Sequence, residues 1–193
     1  MLLLMLPKRR RHLHGYSMKL LYFFYSIAIA GLSLSLSTPC LAMMEAHFAD
    51  NAWNGEQIPD GQQCSAQGGA GATPKLEISG IPDETSEITL AFNDESFPLM
   101  NNGGHGVLGF EAKTKRFLIL QSVPGETNEL PNGVRSISPH RATTTVYSPG
   151  TAYLPPCSGG MGNKYSVTIT AIKHADGGGA YLLDQIKIPL GRY

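Results

Sequence analysis

Hydrophobic and polar residues alternate in short runs along most of the chain. Residues 75–79 (KLEIS), 87–92 (EITLAF) and 165–172 (YSVTITAI) place an apolar side chain at every second position. A period of two is the pattern of a strand that buries one face. We predict further strands at residues 106–110, 116–121 and 143–147, and a short final strand or extended tail at residues 185–189. The pattern indicates an all-β domain.

Glycine, proline, asparagine, serine and threonine separate these runs. Long loops are predicted at residues 61–74, 123–139 and 148–162, a glycine-rich turn at 176–179, and one helical turn at 180–184. Short strands that alternate with such turns favour an antiparallel β-sandwich with few short helices.

The first 42 residues follow a different pattern. Basic residues at 8–11 precede an apolar run at 20–36, and small residues follow at Cys40 and Ala42. This order is typical of a secretory signal peptide. We therefore expect residues 1–42 to be removed on export to the periplasm or the cell exterior.

Cleavage after Ala42 would leave one domain, residues 43–193, with 10 Lys and Arg against 15 Asp and Glu. Its net charge of −5 (10 minus 15) and its lack of a basic stripe argue against nucleic-acid binding. The same charge argues against attraction to an anionic membrane surface. We expect no membrane span after cleavage. An uncleaved anchor and a translation start at Met18 remain alternatives.

Two cysteines, Cys64 and Cys157, lie beyond the signal peptide. An even pair in an exported protein most simply forms one disulfide. Their wide separation does not match the spacing of a zinc or redox motif, so we predict no metal site and no cofactor.

The best candidate site lies between residues 88 and 107. A hydrophobic strand runs into an acidic turn at Asp94, and a glycine-rich segment then leads to His105 at the start of the next strand. Two strand ends that each bring one ionisable group to the same rim can frame a pocket. The chain contains no Gly-x-Ser-x-Gly elbow and no His-Glu-x-x-His motif, so we expect a protein that is not an enzyme.

Four short segments, in order, resemble the motifs of one family. The segment Asp94–Pro98 is similar to Asp-Pro-Asp-Ala-Pro, His105–Val107 to His-Trp-Val, Tyr153–Cys157 to Tyr-x-Gly-Pro-Cys, and Asn163–Tyr165 to His-Arg-Tyr. Over residues 58–172 the chain resembles the phosphatidylethanolamine-binding proteins, also called Raf-kinase-inhibitor-like proteins. The likeness is to their short bacterial branch.

The resemblance implies a sandwich of that family's type and a small anion pocket for a phospholipid-head-group-like ligand. The pocket residues it implicates are Asp94, His105, Asn163 and Tyr165, with Pro156 on the wall. Asn163 stands where the family has a second histidine, so it can donate a hydrogen bond but brings no charge.

Other interpretations remain open at this stage. Asp94 could simply cap its own turn, and Tyr165 could be a core residue. The protein could be an interaction module that inhibits a protease or a kinase, with recognition by the loops at 123–139 and 148–162. A hydrolase that uses His105 is the second alternative. The remaining histidines, His47, His140 and His174, show no ligand spacing, and we predict that they lie at the surface.

Overall fold

The computed structural model describes residues 43–113, 115–143 and 149–193. Within them, the strands are β1 (Glu45–Phe48), β2 (Leu76–Ser79), β3 (Glu87–Asp94), β4 (Val107–Glu111), β5 (Phe117–Leu120), β6 (Val134–Ser138), β7 (Lys164–His174) and β8 (Ala180–Arg192). Two short 3-10 helices, Ser65–Gln67 and Pro98–Met100, lie among them. None of the described helices is long and apolar enough to cross a bilayer.

The strands form two antiparallel sheets with the orders β1-β2-β5 and β6-β4-β3-β7-β8. Inward side chains of both sheets join one hydrophobic core, which includes Leu76, Ile78, Leu90, Phe92, Val167 and Ile169. The alternation read from the sequence is the reason, since every second residue of β2 and β7 points to that core. The predicted all-β antiparallel sandwich with few short helices is confirmed.

The pairing of β3 with β7 in the centre of the larger sheet fixes the position of the candidate site. In this register Asp94, at the end of β3, lies opposite Tyr165, near the start of β7. Because antiparallel neighbours run in opposite directions, the end of one strand meets the beginning of the other. Asn163 directly precedes β7 and so reaches the same edge of the sheet.

Two local predictions are wrong. The expected helical turn at residues 180–184 is the first part of β8, in which Ala180 pairs with His174 and Leu182 with Ile172. The glycine turn returns the chain beside β7, and the ladder hydrogen bonds outweigh the helix propensity of this segment. β6 lies inside the expected loop at 123–139, and it pairs with the edge of β4. Of the strand expected at 143–147, residues 144–147 lie outside the described residues.

A buried carboxylate lies at the opposite end of β3 from Asp94. Glu87 is 5% exposed and accepts hydrogen bonds from Arg135 Nε (2.6 Å), Arg135 Nη2 (2.7 Å) and His174 Nε2 (3.0 Å). Burial by itself would raise the pKa of Glu87, but the hydrogen bonds and charges of Arg135 and His174 outweigh it, and the pKa lies below its ordinary value of 4.5. A side chain on Gly109 would displace this carboxylate, because its Cβ would lie 2.2 Å from Glu87 Oε1.

Replacing Arg135 by glutamine should lower the free energy of unfolding by about 1–2 kcal/mol at neutral pH. Removing one partner of a buried pair leaves a charge unpaired, and the half-exposed Arg135 side chain and the remaining His174 reduce the loss. Because the folded-state pKa of Glu87 is lowered, its contribution is present above its unfolded pKa and is lost as the pH falls through the lower folded value.

Urea unfolding at neutral pH and below about pH 4.5 measures the effect. The loss in free energy of unfolding caused by Arg135→Gln should be smaller at the acid pH. Lys173→Gln is the matched control, because Lys173 pairs with the exposed Glu84, and it should cost no more than about 1 kcal/mol. An equal loss in free energy of unfolding for both variants would show that the buried Glu87–Arg135 pair stabilises the fold no more than the exposed Lys173–Glu84 pair.

Candidate functional site

The turn after β3 is built around the Asp94 carboxylate. Its Oδ1 accepts the backbone N–H groups of Ser96 (2.9 Å) and Phe97 (3.1 Å), and its Oδ2 accepts Asn163 Nδ2 at 2.6 Å. Ser96 Oγ also accepts the backbone N–H of Lys164 at 3.0 Å, which ties the turn to β7. Asp94 therefore caps its own turn, as one interpretation of the sequence expected. It also lines the cavity described below.

His105 lies two residues before β4 and is 4% exposed. Its Nδ1 lies 2.8 Å from the carbonyl oxygen of Leu154, which can only accept, so Nδ1 carries the hydrogen. In the neutral ring, Nε2 is therefore an acceptor. Burial lowers the pKa of His105, and the Leu154 carbonyl and the Asp94 charge oppose that effect without cancelling it.

Tyr165 belongs both to the core and to the site. Its ring meets the ring of His105 edge to face, with centroids 5.3 Å apart, and its hydroxyl accepts the backbone N–H of Cys157 at 3.3 Å. Burial raises the pKa of Tyr165 to about 12, and the Asp94 charge adds to the rise, while a hydrogen bond with Ser158 opposes it. Tyr165 thus stays protonated at physiological pH.

These four predicted residues, Asp94, His105, Asn163 and Tyr165, line one cavity of about 730 Å³. Three apolar side chains lie at its mouth, where Phe97, Leu99 and Met161 are 47%, 71% and 77% exposed, beside the exposed Ser96, Arg141 and Thr143. The cavity therefore has a polar floor and a partly apolar rim.

Pro156 is not part of this cavity. It lines a smaller void behind His105 and Tyr165, and its carbonyl accepts the backbone N–H of Cys64 at 3.0 Å. Its neighbour Cys157 reaches the cavity instead.

The predicted disulfide between Cys64 and Cys157 is confirmed, with a Cα–Cα distance of 5.4 Å. It joins the 61–74 loop to the 148–162 loop. Cys64 is fully buried and packs with Met100 and Leu154. Because Cys157 lines the cavity, the disulfide forms part of the wall of the site.

Sequence reasoning missed two residues at the end of β6. Arg141 lines the cavity, and its guanidinium donates to the carbonyls of Asn101 (3.2 Å) and Asn102 (2.7 Å). His140 is 4% exposed, so its predicted surface position is wrong. It lies close enough to His105 for its charge to help lower the pKa of that residue. No local pattern marks either residue, because only tertiary packing brings them to His105.

The described residues contain no group of three or more His, Cys, Asp and Glu side chains that could hold a metal ion. No protein-family model and no curated protein matches this chain. The family resemblance stays a prediction from the motifs. The feature of this structure that bears on function is therefore the cavity, with its polar floor and partly apolar rim.

Tyr153 carries an unusual buried hydroxyl behind the floor of the cavity. The side chain is 1% exposed and packs on Phe92 with ring centroids 4.6 Å apart, yet its oxygen has no hydrogen-bond partner among the described residues. A buried polar group without a partner costs about 1–3 kcal/mol. Burial also raises the pKa of Tyr153, so the group stays neutral.

Replacing Tyr153 by phenylalanine should raise the free energy of unfolding by about 1 kcal/mol, because it removes only the unpaired hydroxyl. The matched control is Tyr165→Phe, which leaves the Cys157 N–H without its acceptor and should lower the free energy of unfolding by about 1 kcal/mol. Urea unfolding measures both. A loss of stability in Tyr153→Phe would mean that the hydroxyl has a partner in solution.

Proposed function

We propose that the protein is an exported, non-catalytic binding protein for a small amphipathic ligand with an anionic, phospholipid-head-group-like part. One observation carries the proposal: Asp94, His105, Asn163 and Tyr165 form the polar floor of a cavity whose rim is partly apolar. Such a cavity suits a ligand with a polar end and an apolar end. The motif resemblance to the phosphatidylethanolamine-binding proteins supports the same ligand class.

Two observations support export, which is one part of the proposal. Disulfides persist in oxidising compartments, and the Cys64–Cys157 bridge fits a protein that leaves the cytoplasm. The signal-like pattern of residues 1–42 points the same way. The destination is the periplasm or the cell exterior.

The charges of the floor determine how an anion binds. At neutral pH the floor holds the Asp94 carboxylate and a His105 ring whose Nε2 is an acceptor, and Asn163 has no charge. An anion needs donors in this position. Protonation of His105 supplies one, and the guanidinium of Arg141 adds positive charge at the wall. Binding of an anion should therefore be coupled to uptake of a proton by His105.

Imidazole resonances in NMR spectra test the proposal directly. Phosphorylethanolamine should shift the His105 ring signals in a saturable way, and ethanolamine alone should not. In His105→Gln, phosphorylethanolamine should no longer shift the amide signals of Leu154 and Cys157, which line the same cavity. His47→Gln is the matched control, because His47 is exposed on the other sheet, and it should bind like the wild type.

Three results would contradict the proposal. Unperturbed His105 signals at millimolar ligand would remove the pocket from consideration. Shifts of the Leu154 and Cys157 amide signals that persist in His105→Gln would show that His105 does not hold the ligand. Turnover of simple esters that stops in His105→Gln would identify a hydrolase instead of a binding protein.

A further inference from the structure

A second cavity, of about 620 Å³, lies on the other side of the turn at residues 94–96. Tyr165 lines both cavities and its side chain is buried in the core, whereas alternation along β7 places the neighbouring Lys164 and Ser166 on the outer face of the sheet. Lys187 and Arg192 of β8 complete its basic lining. We call this cavity the basic groove.

Backbone contacts fix the shape of the basic groove. The segment 55–57 runs beside the end of β8, where Gln57 and Arg192 form a parallel bridge and Arg192 N–H donates to the carbonyl of Glu56 at 2.9 Å. Gly191 has φ = 131°, and a Cβ there would lie 2.5 Å from the carbonyl carbon of Gln57. Only glycine permits this approach, so the groove is a feature of the main chain.

The basic groove concentrates positive charge on an otherwise acidic domain. Three of the ten Lys and Arg residues of 43–193 line it. Arg192 Nη1 donates to the carbonyl of Gly162 at 3.0 Å, which leaves other guanidinium donors available. The Lys164 ammonium makes no hydrogen bond or salt bridge among the described residues, although its charge acts on the nearby Glu95 carboxylate.

Two carboxylates, Glu56 and Glu95, also line the groove. Glu95 Oε1 accepts Ser166 Oγ at 2.8 Å and Lys187 Nζ at 3.1 Å. Glu95 is thus held against the sheet by its own partners. Three cations against two carboxylates leave one net positive charge in the groove.

We propose that the basic groove is a binding site for a phosphate-type dianion, separate from the cavity that holds His105. Lysine ammonium groups bind phosphate as point charges, and arginine adds paired donors. A dianion would gain the Lys164 charge and the free donors of Arg192, and it would compete with Glu95 for Lys187. The proposal does not depend on the function of the other cavity.

Because Glu95 is a carboxylate in the groove, we expect one substitution to strengthen phosphate binding. Glu95→Gln removes a negative charge from the groove and frees Lys187, so phosphate affinity should rise roughly two- to fivefold. Lys164→Gln should lower it by a similar factor. Lys187→Gln should lower it further, because it also leaves the Glu95 charge without its cation.

Backbone amide NMR of the protein, titrated with inorganic phosphate against chloride at constant ionic strength, tests these effects. The amide signals of Lys164, of residues 187–188 and of residues 190–192 should shift and saturate. Lys115→Gln, which changes a lysine in the turn before β5, is the control and should leave the affinity unchanged. His105→Gln should leave the groove signals unchanged, which separates this site from the proposed head-group pocket.

Several outcomes would overturn the proposal. Shifts that chloride reproduces at equal ionic strength would reveal only general screening. Unchanged affinity in both Glu95→Gln and Lys164→Gln would place phosphate elsewhere. Loss of the groove shifts in His105→Gln would mean that a single site, in the other cavity, accounts for them.

Discussion

Loss of the Cys64–Cys157 disulfide should lower the free energy of unfolding by about 4–5 kcal/mol. The two cysteines are 93 residues apart, and a cross-link over a loop of this length removes much of the entropy of the unfolded chain. The loss should reach the site as well, because Cys157 lines the cavity and its N–H donates to the Tyr165 hydroxyl. We therefore expect weaker ligand binding together with lower stability.

Urea unfolding with and without reductant measures this effect. Reductant should destabilise the wild type, and it should have no further effect on a Cys64→Ser/Cys157→Ser double variant, which serves as the control. The double variant without reductant should match the reduced wild type to within about 1 kcal/mol. Two free thiols in the mass spectrum of the unreduced protein would contradict the disulfide itself.

The strands and the centre of the site could be predicted because their signals are local. Alternation in residues 87–92 and 165–172 identifies the two central strands, since each buries one face. Asp94 and His105 converge because both lie at the same edge of neighbouring strands, β3 and β4. The disulfide followed from the number of cysteines and the signal-like leader. Each of these inferences needs only the neighbouring residues or a count.

The remaining features depend on contacts between distant parts of the chain. Residues 180–184 carry good helix formers, yet they pair with β7 because the preceding turn brings them beside it. Arg141 reaches the cavity, and His140 comes close to His105, where the backbone N–H of Arg141 donates a hydrogen bond to the carbonyl of Gly104 at 2.8 Å. Pro156 and Cys157 adjoin in sequence but face different spaces. A short segment of sequence contains no signal for such long-range contacts.

Anion affinity of the head-group pocket should rise as the pH falls, by up to about tenfold per pH unit. The pKa of the free His105 lies below its ordinary value of 6.5, mainly because the ring is buried. A bound anion favours the protonated ring and raises that pKa. Between the free and the bound pKa, binding takes up one proton, and below the free pKa the affinity should level off. A ligand that places no phosphate oxygen against His105 would show the opposite trend or none.

Glycerophosphorylethanolamine is the appropriate probe, because its charges do not change between about pH 5 and pH 8 and only the protein titrates. Calorimetric titration at several pH values gives the slope. Flat affinity, or affinity that rises with pH, would rule out proton-coupled anion binding at His105.

Introducing an imidazole at position 163 should strengthen anion binding in the cavity that holds His105 roughly ten- to a hundredfold at acid pH. Asn163 Nδ2 lies 2.6 Å from Asp94 Oδ2, so a histidine in its place would meet the same carboxylate, which raises an imidazole pKa. A protonated ring would then give the anion a charge-assisted hydrogen bond, worth about 1.5–3 kcal/mol. The same calorimetric titration compares Asn163→His with Asn128→His, a control that adds a histidine on an exposed loop. Equal affinities of the two variants would show that residue 163 does not contact the ligand, because the added charge would then act at a distance from it.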